Sequence, residues 1–281
     1  VMIAPAMNTG MWENAAVQQN IKTLTMRGVH VVMPTSGHLA CGDSGAGKLE
    51  DIEVIARRAE EVLSAKRDME GLRVLVTAGP SREALDPVRY ISNRSSGKMG
   101  YSIAENAAKR GAKVTLLSGP VSLDAPKGVE VVPFLTTQEL LDHALELVGE
   151  QDIVIQAAAP ADYRAQEIAP QKIKKQSGEP MTLELVENPD VAATIGKKKE
   201  AAQVFVGFAA ETNDVIEHAQ GKLMRKNLDM IVANDVTRPG AGFDVDTNIV
   251  TLITRKGEQA LPLMSKAEVA GHILDHVLEL Y

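Results

Sequence analysis

From residue 73 onward, short runs of β-branched residues alternate with amphipathic stretches long enough to form helices. This alternation is typical of parallel strands joined by crossover helices, because neighbouring parallel strands need a connection of about a dozen residues or more. The sequence therefore predicts an α/β fold: a Rossmann-like, doubly wound, mainly parallel sheet with flanking helices. The predicted strands of the whole chain are 1–4, 29–34, 73–78, 113–118, 130–133, 152–157, 204–208, 230–233 and 249–254. The predicted helices include 52–63, 101–110, 138–147, 214–226 and 266–280.

A domain boundary is predicted in the polar stretch SAKRDMEG at 64–71, which separates the helix 52–63 from the strand that follows. Residues 1–66 hold two predicted strands and two helices, too few for a doubly wound domain. Residues 67–281 are numerous enough for a self-sufficient α/β domain. The sequence begins without Met inside an apolar run, so we expect the natural chain to begin upstream.

Composition excludes several classes of protein. The formal net charge of −7 argues against broad nucleic-acid binding. No apolar run approaches the roughly 20 residues that span a bilayer. The single cysteine, Cys41, cannot form an internal disulfide, which predicts a reducing, cytoplasmic compartment. The six histidines are scattered without metal-ligand spacing.

The segment 86–100 concentrates anion-binding groups immediately before a predicted helix. Hydroxyls, a glycine and several cations at a helix N-terminus suit a phosphate group. The preceding loop reads TAGPSREALDP and lacks the G-x-G-x-x-G of dinucleotide-binding enzymes. We therefore predict a phosphate site that is not a dinucleotide site, formed by Arg89, Asn93, Arg94, Ser95, Ser96, Gly97 and Lys98.

The segment TAGPSREALDPVRYISNRSSGKMG (77–100) resembles the signature of phosphopantothenoylcysteine synthetase, the ligase part of the bifunctional coenzyme A biosynthesis proteins. The resemblance covers residues 71–281 and implies ligation of 4′-phosphopantothenate to cysteine. In bacterial members it implies CTP as co-substrate, an acyl-cytidylate intermediate, Mg²⁺ and a homodimer. It extends through AAAPADY (157–163), QKIKK (171–175), ENPDVAA (187–193), VGFAAET (206–212) and RKNLDMIVANDV (225–236).

The resemblance also implies roles for individual residues. Asn93 matches an asparagine that binds phosphopantothenate and helps to form the acyl-cytidylate. Lys172 matches a lysine required for turnover of that intermediate with cysteine. Asp162 is expected either to bind the nucleotide or to hold Mg²⁺. The expected neighbours of the substrate are Arg89, Ser95, Ser96 and Gly97. The expected nucleotide-binding residues are Gly79, Gln156, Ala157, Ala158, Asp162, Lys172, Pro189, Asp190, Val191, Ala192, Phe208, Lys222 and Lys226.

The segments APAMNTGMW (4–12) and GHLACGDSGAG (37–47) resemble the last third of the flavin-dependent phosphopantothenoylcysteine decarboxylase. Residues 1–66 are therefore interpreted as the C-terminal fragment of a flavodoxin-like α/β domain. The resemblance implies that Asn8 contacts the substrate carboxylate and that Cys41 is a proton donor. The full-length protein is expected to use FMN and to form a higher homo-oligomer. We predict that these 281 residues alone neither bind FMN nor decarboxylate.

Two other classes of function fit part of the sequence. A Rossmann-type oxidoreductase has the same fold class, but G-x-G-x-x-G and a Tyr-x-x-x-Lys pair on a helix face are both missing. A non-enzymatic flavoprotein-like scaffold would use only the N-terminal segment. It would leave the polar loops around Asn93 and Lys172 unexplained.

Overall fold

The computed structural model describes residues 1–27, 29–38, 42, 44–63, 66–175, 178, 180–211, 214–235, 242 and 244–281. The chain divides into two compact units, Val1–Lys66 and Arg67–Tyr281. The boundary lies within the polar stretch 64–71. Within the described ranges, no helix has the length and apolar character needed to cross a membrane.

The described residues of the N-terminal unit form a two-stranded parallel pair, a hairpin and three helices. Strands β1 and β2 pair in parallel, and β3 and β4 form an antiparallel hairpin. This hairpin was not predicted, because its glycine-rich strands carry no alternation of apolar and polar residues. The elements are β1 (Met2–Ile3), α1 (Thr9–Trp12), α2 (Ala15–Met26), β2 (His30–Val31), β3 (Thr35–His38), β4 (Ser44–Lys48) and α3 (Ile52–Leu63).

The C-terminal unit holds the larger sheet and five α-helices within its described residues. Its strands are β5 (Arg73–Ala78), β6 (Arg82–Ala84), β7 (Tyr90–Ser92), β8 (Lys113–Ser118), β9 (Val129–Pro133), β10 (Ile153–Gln156), β11 (Tyr163–Ala165), β12 (Leu185–Glu187), β13 (Val204–Glu211), β14 (Met230–Asp235), β15 (Thr247–Asn248), β16 (Val250–Thr254), β17 (Gly257–Ala260) and β18 (Met264–Ser265). Its helices are α4 (Lys98–Lys109), α5 (Thr137–Leu147), α6 (Val191–Lys198), α7 (Val215–Arg225) and α8 (Lys266–Leu280).

Eight strands form the central sheet in the order β17-β16-β14-β13-β10-β5-β8-β9. The six strands from β14 to β9 are parallel, whereas β16 and β17 are antiparallel. If the parallel strands are numbered along the chain, their spatial order is the 3-2-1-4-5-6 of the Rossmann fold. The predicted α/β class is confirmed. The order reverses between β5 and β10, and ligands of such sheets bind beyond the carboxyl ends of the strands at this point.

Helices cover both faces of the sheet. On one face, α4 and α8 bury Ile103, Ala104 and Val269 against the strands. The small alanines of α4 let this helix approach the sheet closely, as its sequence predicted. On the other face, α5, α6 and α7 pack over a second apolar cluster that includes Leu140 and Leu223. Helices thus cover both faces of the parallel strands, which leaves the ends of these strands for ligands.

Three short antiparallel strand pairs lie at the edge of the central sheet where its parallel strands end, and they were not predicted. The β6–β7 and β11–β12 hairpins lie next to the sheet, and β15 pairs with β18. Each has strands of only two or three residues, too few for periodicity to register in the sequence. Helix α4 also begins at Lys98 rather than at residue 101, so the helix starts inside the predicted phosphate segment.

Candidate functional site

Glycines bring the N-terminus of α4 close to the end of β5. Gly79 and Gly97 have φ of +81° and +77°, a conformation that side-chain-bearing residues rarely adopt. A Cβ at either position would lie 2.9 Å from Val121 Cγ1. Gly97 caps α4 without a side-chain hydrogen bond. The first-turn N–H groups of α4 are therefore suited to donate hydrogen bonds to an anion.

A cavity of about 510 Å³ opens at this helix end. It is lined by the predicted substrate residues Ser95, Ser96 and Gly97, and also by Ala157, and is called the α4 cavity below. Buried Lys266 also lines it and was not predicted, since a lysine at a helix start carries no sequence signal for burial. Burial, and then the nearby ammonium of Lys98, holds the pKa of Lys266 below its ordinary value.

Lys98 at the start of α4 binds the segment that follows β14. Its Nζ lies 2.8 Å from Asp246 Oδ1 and 2.7 Å from the Asp244 carbonyl oxygen. The hydrogen bond from Lys98 holds the pKa of Asp246 below its ordinary value. The positive charge of this region is therefore partly balanced by carboxylates.

A second cavity of about 360 Å³, called the α6 cavity below, lies between the ends of β10 and β13 and the start of α6. Four lining residues are common to both cavities, so the two adjoin: Ala158, Pro160, Phe208 and Lys222. Most of the predicted nucleotide-binding residues lie here. They are Gln156, Ala158, Asp162, Pro189, Asp190, Val191, Ala192, Phe208, Lys222 and Lys226.

The Asn93 side chain links the loop before α4 to the loop after β10. Its Nδ2 donates to the carbonyl oxygens of Ala159 at 3.1 Å and Pro160 at 2.9 Å. The sequence predicted that this amide donates to the substrate. In the structure, its Nδ2 donates to these two backbone carbonyl oxygens. Asn93 therefore ties the loop before α4 to the loop after β10.

Arg89 and Lys172 are linked through the backbone of Ile173. Arg89 forms an ion pair with buried Asp86, at 2.6 Å from Nη2 to Oδ2, and donates to the Ile173 carbonyl oxygen at 2.9 Å. The Ile173 amide donates to Asp86 Oδ2 at 3.1 Å. The hydrogen bonds from the Arg89 side chain, and then from backbone amides, hold the pKa of the Asp86 carboxyl well below its usual range. Lys172 itself is exposed and is not among the described residues that line either cavity.

Asp190 and Lys226 form an ion pair at the mouth of the α6 cavity. Asp190 also caps α6, with Oδ1 accepting from the Ala193 amide at 3.0 Å. Lys226 Nζ lies 2.9 Å from Asp190 Oδ2. Burial raises the pKa of Asp190, but the Ala193 amide and the Lys226 ammonium outweigh it and hold the pKa below its ordinary value. Lys222 and Lys226, predicted to face one anion, both line this cavity.

Asp162, predicted either to bind the nucleotide or to hold Mg²⁺, is exposed at the rim of the α6 cavity. The described residues contain no group of three His, Cys, Asp or Glu side chains that could hold a metal ion. Mg²⁺ commonly binds through one or two carboxylates together with substrate phosphates and waters. Asp162 fits that mode and does not fit an all-protein metal cage.

A buried polar network behind the cavities was missed by sequence analysis. The Thr137 amide donates to Glu83 Oε1 at 2.9 Å, and the Ala161 amide donates to Ser81 Oγ at 2.9 Å. Asn188 Nδ2 donates to the Ala161 carbonyl oxygen at 2.8 Å. The network joins the segment after β5, the start of α5, the loop after β10 and the loop after β12. The polar residues at alternate positions after β5, Ser81 and Glu83, were the available signal.

In the N-terminal unit, Asn8 is the N-cap of α1. Its Oδ1 accepts from the amides of Gly10 at 2.8 Å and Met11 at 3.3 Å. This use of the side chain explains how the turn before α1 is fixed. Cys41, the predicted proton donor, lies outside the described residues.

Comparison with known proteins assigns both parts of the chain to known families. Residues 69–281 match the family of the DNA/pantothenate metabolism flavoprotein C-terminal domain, and residues 1–64 match the flavoprotein family. The coenzyme A biosynthesis bifunctional protein CoaBC of Haemophilus influenzae is 47% identical over 281 residues, which cover 100% of this chain and 70% of the relative.

Solved structures show the same fold. The crystal structure of the C-terminal domain of a coenzyme A biosynthesis bifunctional protein CoaBC is 41% identical, with a TM-score of 0.65. The match covers 75% of this chain and 96% of the other. A Cab2 mutant in complex with phosphopantothenate-cysteine is 15% identical, with a TM-score of 0.62, covering 81% and 93% of the two chains. The chain therefore belongs to the CoaBC family of bifunctional coenzyme A biosynthesis enzymes, with residues 69–281 as the phosphopantothenate–cysteine ligase domain and residues 1–64 from the flavoprotein decarboxylase domain.

Proposed function

We propose that the ligase domain joins 4′-phosphopantothenate to L-cysteine using CTP, through an acyl-cytidylate. The observation that carries this proposal is the junction of the α4 and α6 cavities at Ala158, Pro160, Phe208 and Lys222. The phosphate of phosphopantothenate binds in the α4 cavity, at the first-turn amides of the helix. CTP binds in the α6 cavity. The junction then brings the pantothenate carboxylate next to the α-phosphorus of CTP.

In the first step, the carboxylate oxygen attacks the α-phosphorus of CTP and the bond to pyrophosphate breaks. The two reactants are both anionic, so the site must supply positive charge and fixed N–H donors. We assign this function to Lys222, because it lines both cavities. Asn93 holds the loops on either side of the junction at a fixed separation.

In the second step, the cysteine amine attacks the acyl carbon, a C–N bond forms, and CMP leaves with the electron pair of the acyl–oxygen bond. Lys172 acts in this step. Its segment is docked on the β6–β7 hairpin through Ile173, and the same hairpin leads directly into Asn93. Both predicted catalytic loops are therefore attached to one hairpin.

Mg²⁺ is expected to accompany CTP. When bound, it neutralises charge on the phosphates and orients them. Asp162 supplies the protein carboxylate for it. The exposed position of Asp162 on the α6 cavity rim supports this assignment.

In the bifunctional protein, the flavoprotein domain uses FMN to decarboxylate the ligase product. Asn8 and Cys41 of this chain contribute the substrate contact and the proton. The 281 residues alone are expected to lack bound flavin, which absorbance of the purified chain near the flavin bands tests directly.

A cytoplasmic homodimer is the proposed assembly. The β6–β7 and β11–β12 hairpins and the segments beside them expose several large apolar side chains, which normally mark an interaction surface. These residues are called the hairpin surface: Val88, Tyr90, Tyr163, Ile168, Met181, Leu183 and Leu185.

The proposed reaction is tested by supplying phosphopantothenate and cysteine with each of CTP, ATP, UTP and GTP, and following pyrophosphate release. We expect release with CTP that requires phosphopantothenate, and an amide product that requires cysteine. Release that does not depend on phosphopantothenate, or binding of a nicotinamide cofactor instead of a nucleoside triphosphate, would contradict the proposal.

A further inference from the structure

Glu83 has a buried side chain that the proposed reaction does not use. It lies in β6 and is 3% exposed. Its Oε1 accepts hydrogen bonds from the Thr137 amide at 2.9 Å and from the Thr137 hydroxyl at 2.8 Å. Thr137 is the first residue of α5, where backbone amides without helical partners and the helix dipole favour an acidic side chain. Glu83 therefore fixes the start of α5 against β6.

Thr137 connects this carboxyl group to the loop that follows β10. Its Oγ1 lies 3.0 Å from Ser81 Oγ, which in turn accepts from the Ala161 amide at 2.9 Å. Ser81 and Thr137 are 0% and 1% exposed, so bulk water does not compete for these hydrogen bonds. The three residues Ser81, Glu83 and Thr137 are called the Ser81 cluster below.

The main chain on either side of Ala161 is held by groups from distant parts of the sequence. The Ala161 carbonyl oxygen accepts from Asn188 Nδ2 at 2.8 Å, and the Asp162 carbonyl oxygen accepts from the Asn188 amide at 2.8 Å. Residues 157–162 belong to no helix or strand, so these hydrogen bonds stabilise a loop that regular structure does not. They fix the main chain that carries the Asp162 side chain at the rim of the α6 cavity.

The Ser81 cluster lies outside the site and acts through this loop. None of its members is among the described residues that line the α4 or α6 cavity. In the loop, Pro160 lines both cavities and Asp162 lines the α6 cavity. The position of such residues matters, because a displacement of about 1 Å can lower a rate about 100-fold.

We propose that the Ser81 cluster positions Asp162 for its contact with the nucleotide or with the Mg²⁺ of the nucleotide. The inference rests on the proposed function in one respect, that the α6 cavity holds the nucleoside triphosphate. The members of the cluster are positioning residues, because they act through the Ala161 main chain and contact no reactant. Their effect on nucleotide binding therefore requires the Asp162 carboxylate.

The test is a double-mutant cycle between the cluster and Asp162. Calorimetry gives the dissociation constant of CTP with Mg²⁺ for the 281-residue chain, for Ser81→Ala, for Asp162→Ala and for the double variant. We expect Ser81→Ala to weaken binding about tenfold in the wild-type background and less than about twofold in the Asp162→Ala background. Equal losses in the two backgrounds would mean that Ser81 acts on the fold in general, and the inference would be wrong.

Thr137 offers a matched set of variants. Thr137→Val removes the hydroxyl and should weaken CTP binding as Ser81→Ala does, whereas Thr137→Ser keeps the hydroxyl and should stay within about twofold of the wild type. Thr115→Val, the same change at a buried threonine of β8 that makes no hydrogen bond to the described residues 157–162, is the control. Equal losses with Thr137→Ser and Thr137→Val would contradict a role for the hydroxyl.

Hydrogen exchange at the Ala161 amide reports the positioning without a ligand. In Ser81→Ala this amide loses its acceptor, so its exchange should rise about tenfold or more. Unchanged exchange in a Ser81→Ala variant that is folded by thermal unfolding would overturn the inference. A wild-type chain that binds no nucleoside triphosphate would disprove the proposed function and the inference together. CTP binding without coupling between Ser81 and Asp162 would disprove the inference alone.

Discussion

Arg89 and Ile173 lie 84 residues apart in the sequence, yet the Arg89 guanidinium donates a hydrogen bond to the Ile173 carbonyl oxygen. Asp86, the ion-pair partner of Arg89, accepts a hydrogen bond from the Ile173 amide. Both backbone groups of Ile173 are therefore held by one ion pair. This contact positions the segment that carries Lys172.

Loss of the Asp86 charge should release this segment. In Asp86→Asn, an amide group replaces one carboxylate oxygen that accepts several N–H donors, so the Ile173 hydrogen bond weakens. We expect hydrogen exchange at the Ile173 amide to rise at least about tenfold, with amide product formation falling more than pyrophosphate release. Mass-spectrometric exchange and a coupled product assay measure the two effects. Asp142→Asn, on an exposed helix face, is the control.

Arg89→Met distinguishes docking from substrate binding. If Arg89 acts by docking, exchange at Ile173 rises and the KM for phosphopantothenate stays near the wild-type value. A large rise in that KM with unchanged exchange would return Arg89 to the substrate-binding role predicted from sequence.

Substitutions at Asn93 and Lys172 should block different steps. Asn93→Asp removes both donors to Ala159 and Pro160 and places a carboxylate before two carbonyl oxygens, so acyl-cytidylate formation should fall about 100-fold or more. Lys172→Gln should permit activation but slow the attack by cysteine, so the intermediate accumulates. Rapid quenching and mass spectrometry of the acyl-cytidylate distinguish the two variants. Normal turnover by Lys172→Gln would remove that lysine from the mechanism.

Two glycines on helices should respond oppositely to alanine. A Cβ at Gly100 in α4 would lie 2.6 Å from Ala78 Cβ and 2.8 Å from the Thr77 carbonyl oxygen. Gly100→Ala should therefore lower the free energy of unfolding by about 1–3 kcal/mol. Gly221 in α7 meets nothing within 4 Å, so Gly221→Ala should raise it by about 0.5–1 kcal/mol. Urea titrations check both, and equal effects would mean that α4 does not pack on β5 as described.

The Asp190–Lys226 pair should make stability depend on pH. Because the folded pKa of Asp190 is lowered, its ionised form stabilises the fold above the ordinary value of about 3.9. This contribution is lost as pH falls through the lower folded pKa. Asp190→Asn preserves a helix cap but removes the charge, and should cost about 0.5 kcal/mol at neutral pH, since the Asp190 side chain is half exposed. The difference should shrink in acid and in high salt, as urea titrations across pH would show.

The hairpin surface should control assembly. Val88→Lys combined with Tyr90→Lys places two charges on the β6–β7 hairpin and should shift a dimer toward monomer at micromolar concentration. Light scattering after size exclusion measures the mass. Leu263→Lys, at an exposed apolar residue just before β18, is the control. A wild-type mass that equals one chain at every concentration would disprove the dimer.

The sequence determined the larger elements and the location of the chemistry. Strands β5 and β8 and helix α8 were predicted with the bounds that the structure shows. The two strands are short apolar runs, and the helix has apolar residues at helical spacing, so local sequence is enough to recognise all three. The polar segment before α4 was predicted as a phosphate site from residue types alone. Its position at the end of β5 follows from chain order. The family was evident from the same segment.

The tertiary structure decided which polar groups are available to ligands. Sequence treated Arg89, Asn93 and Lys226 alike as ligand-facing groups. In the structure each makes a hydrogen bond or an ion pair within the protein, and Asn93 and Lys226 also line the cavities. The physical reason is that hydrogen-bond satisfaction is a property of contacts between residues far apart in the chain. Local patterns do not contain it.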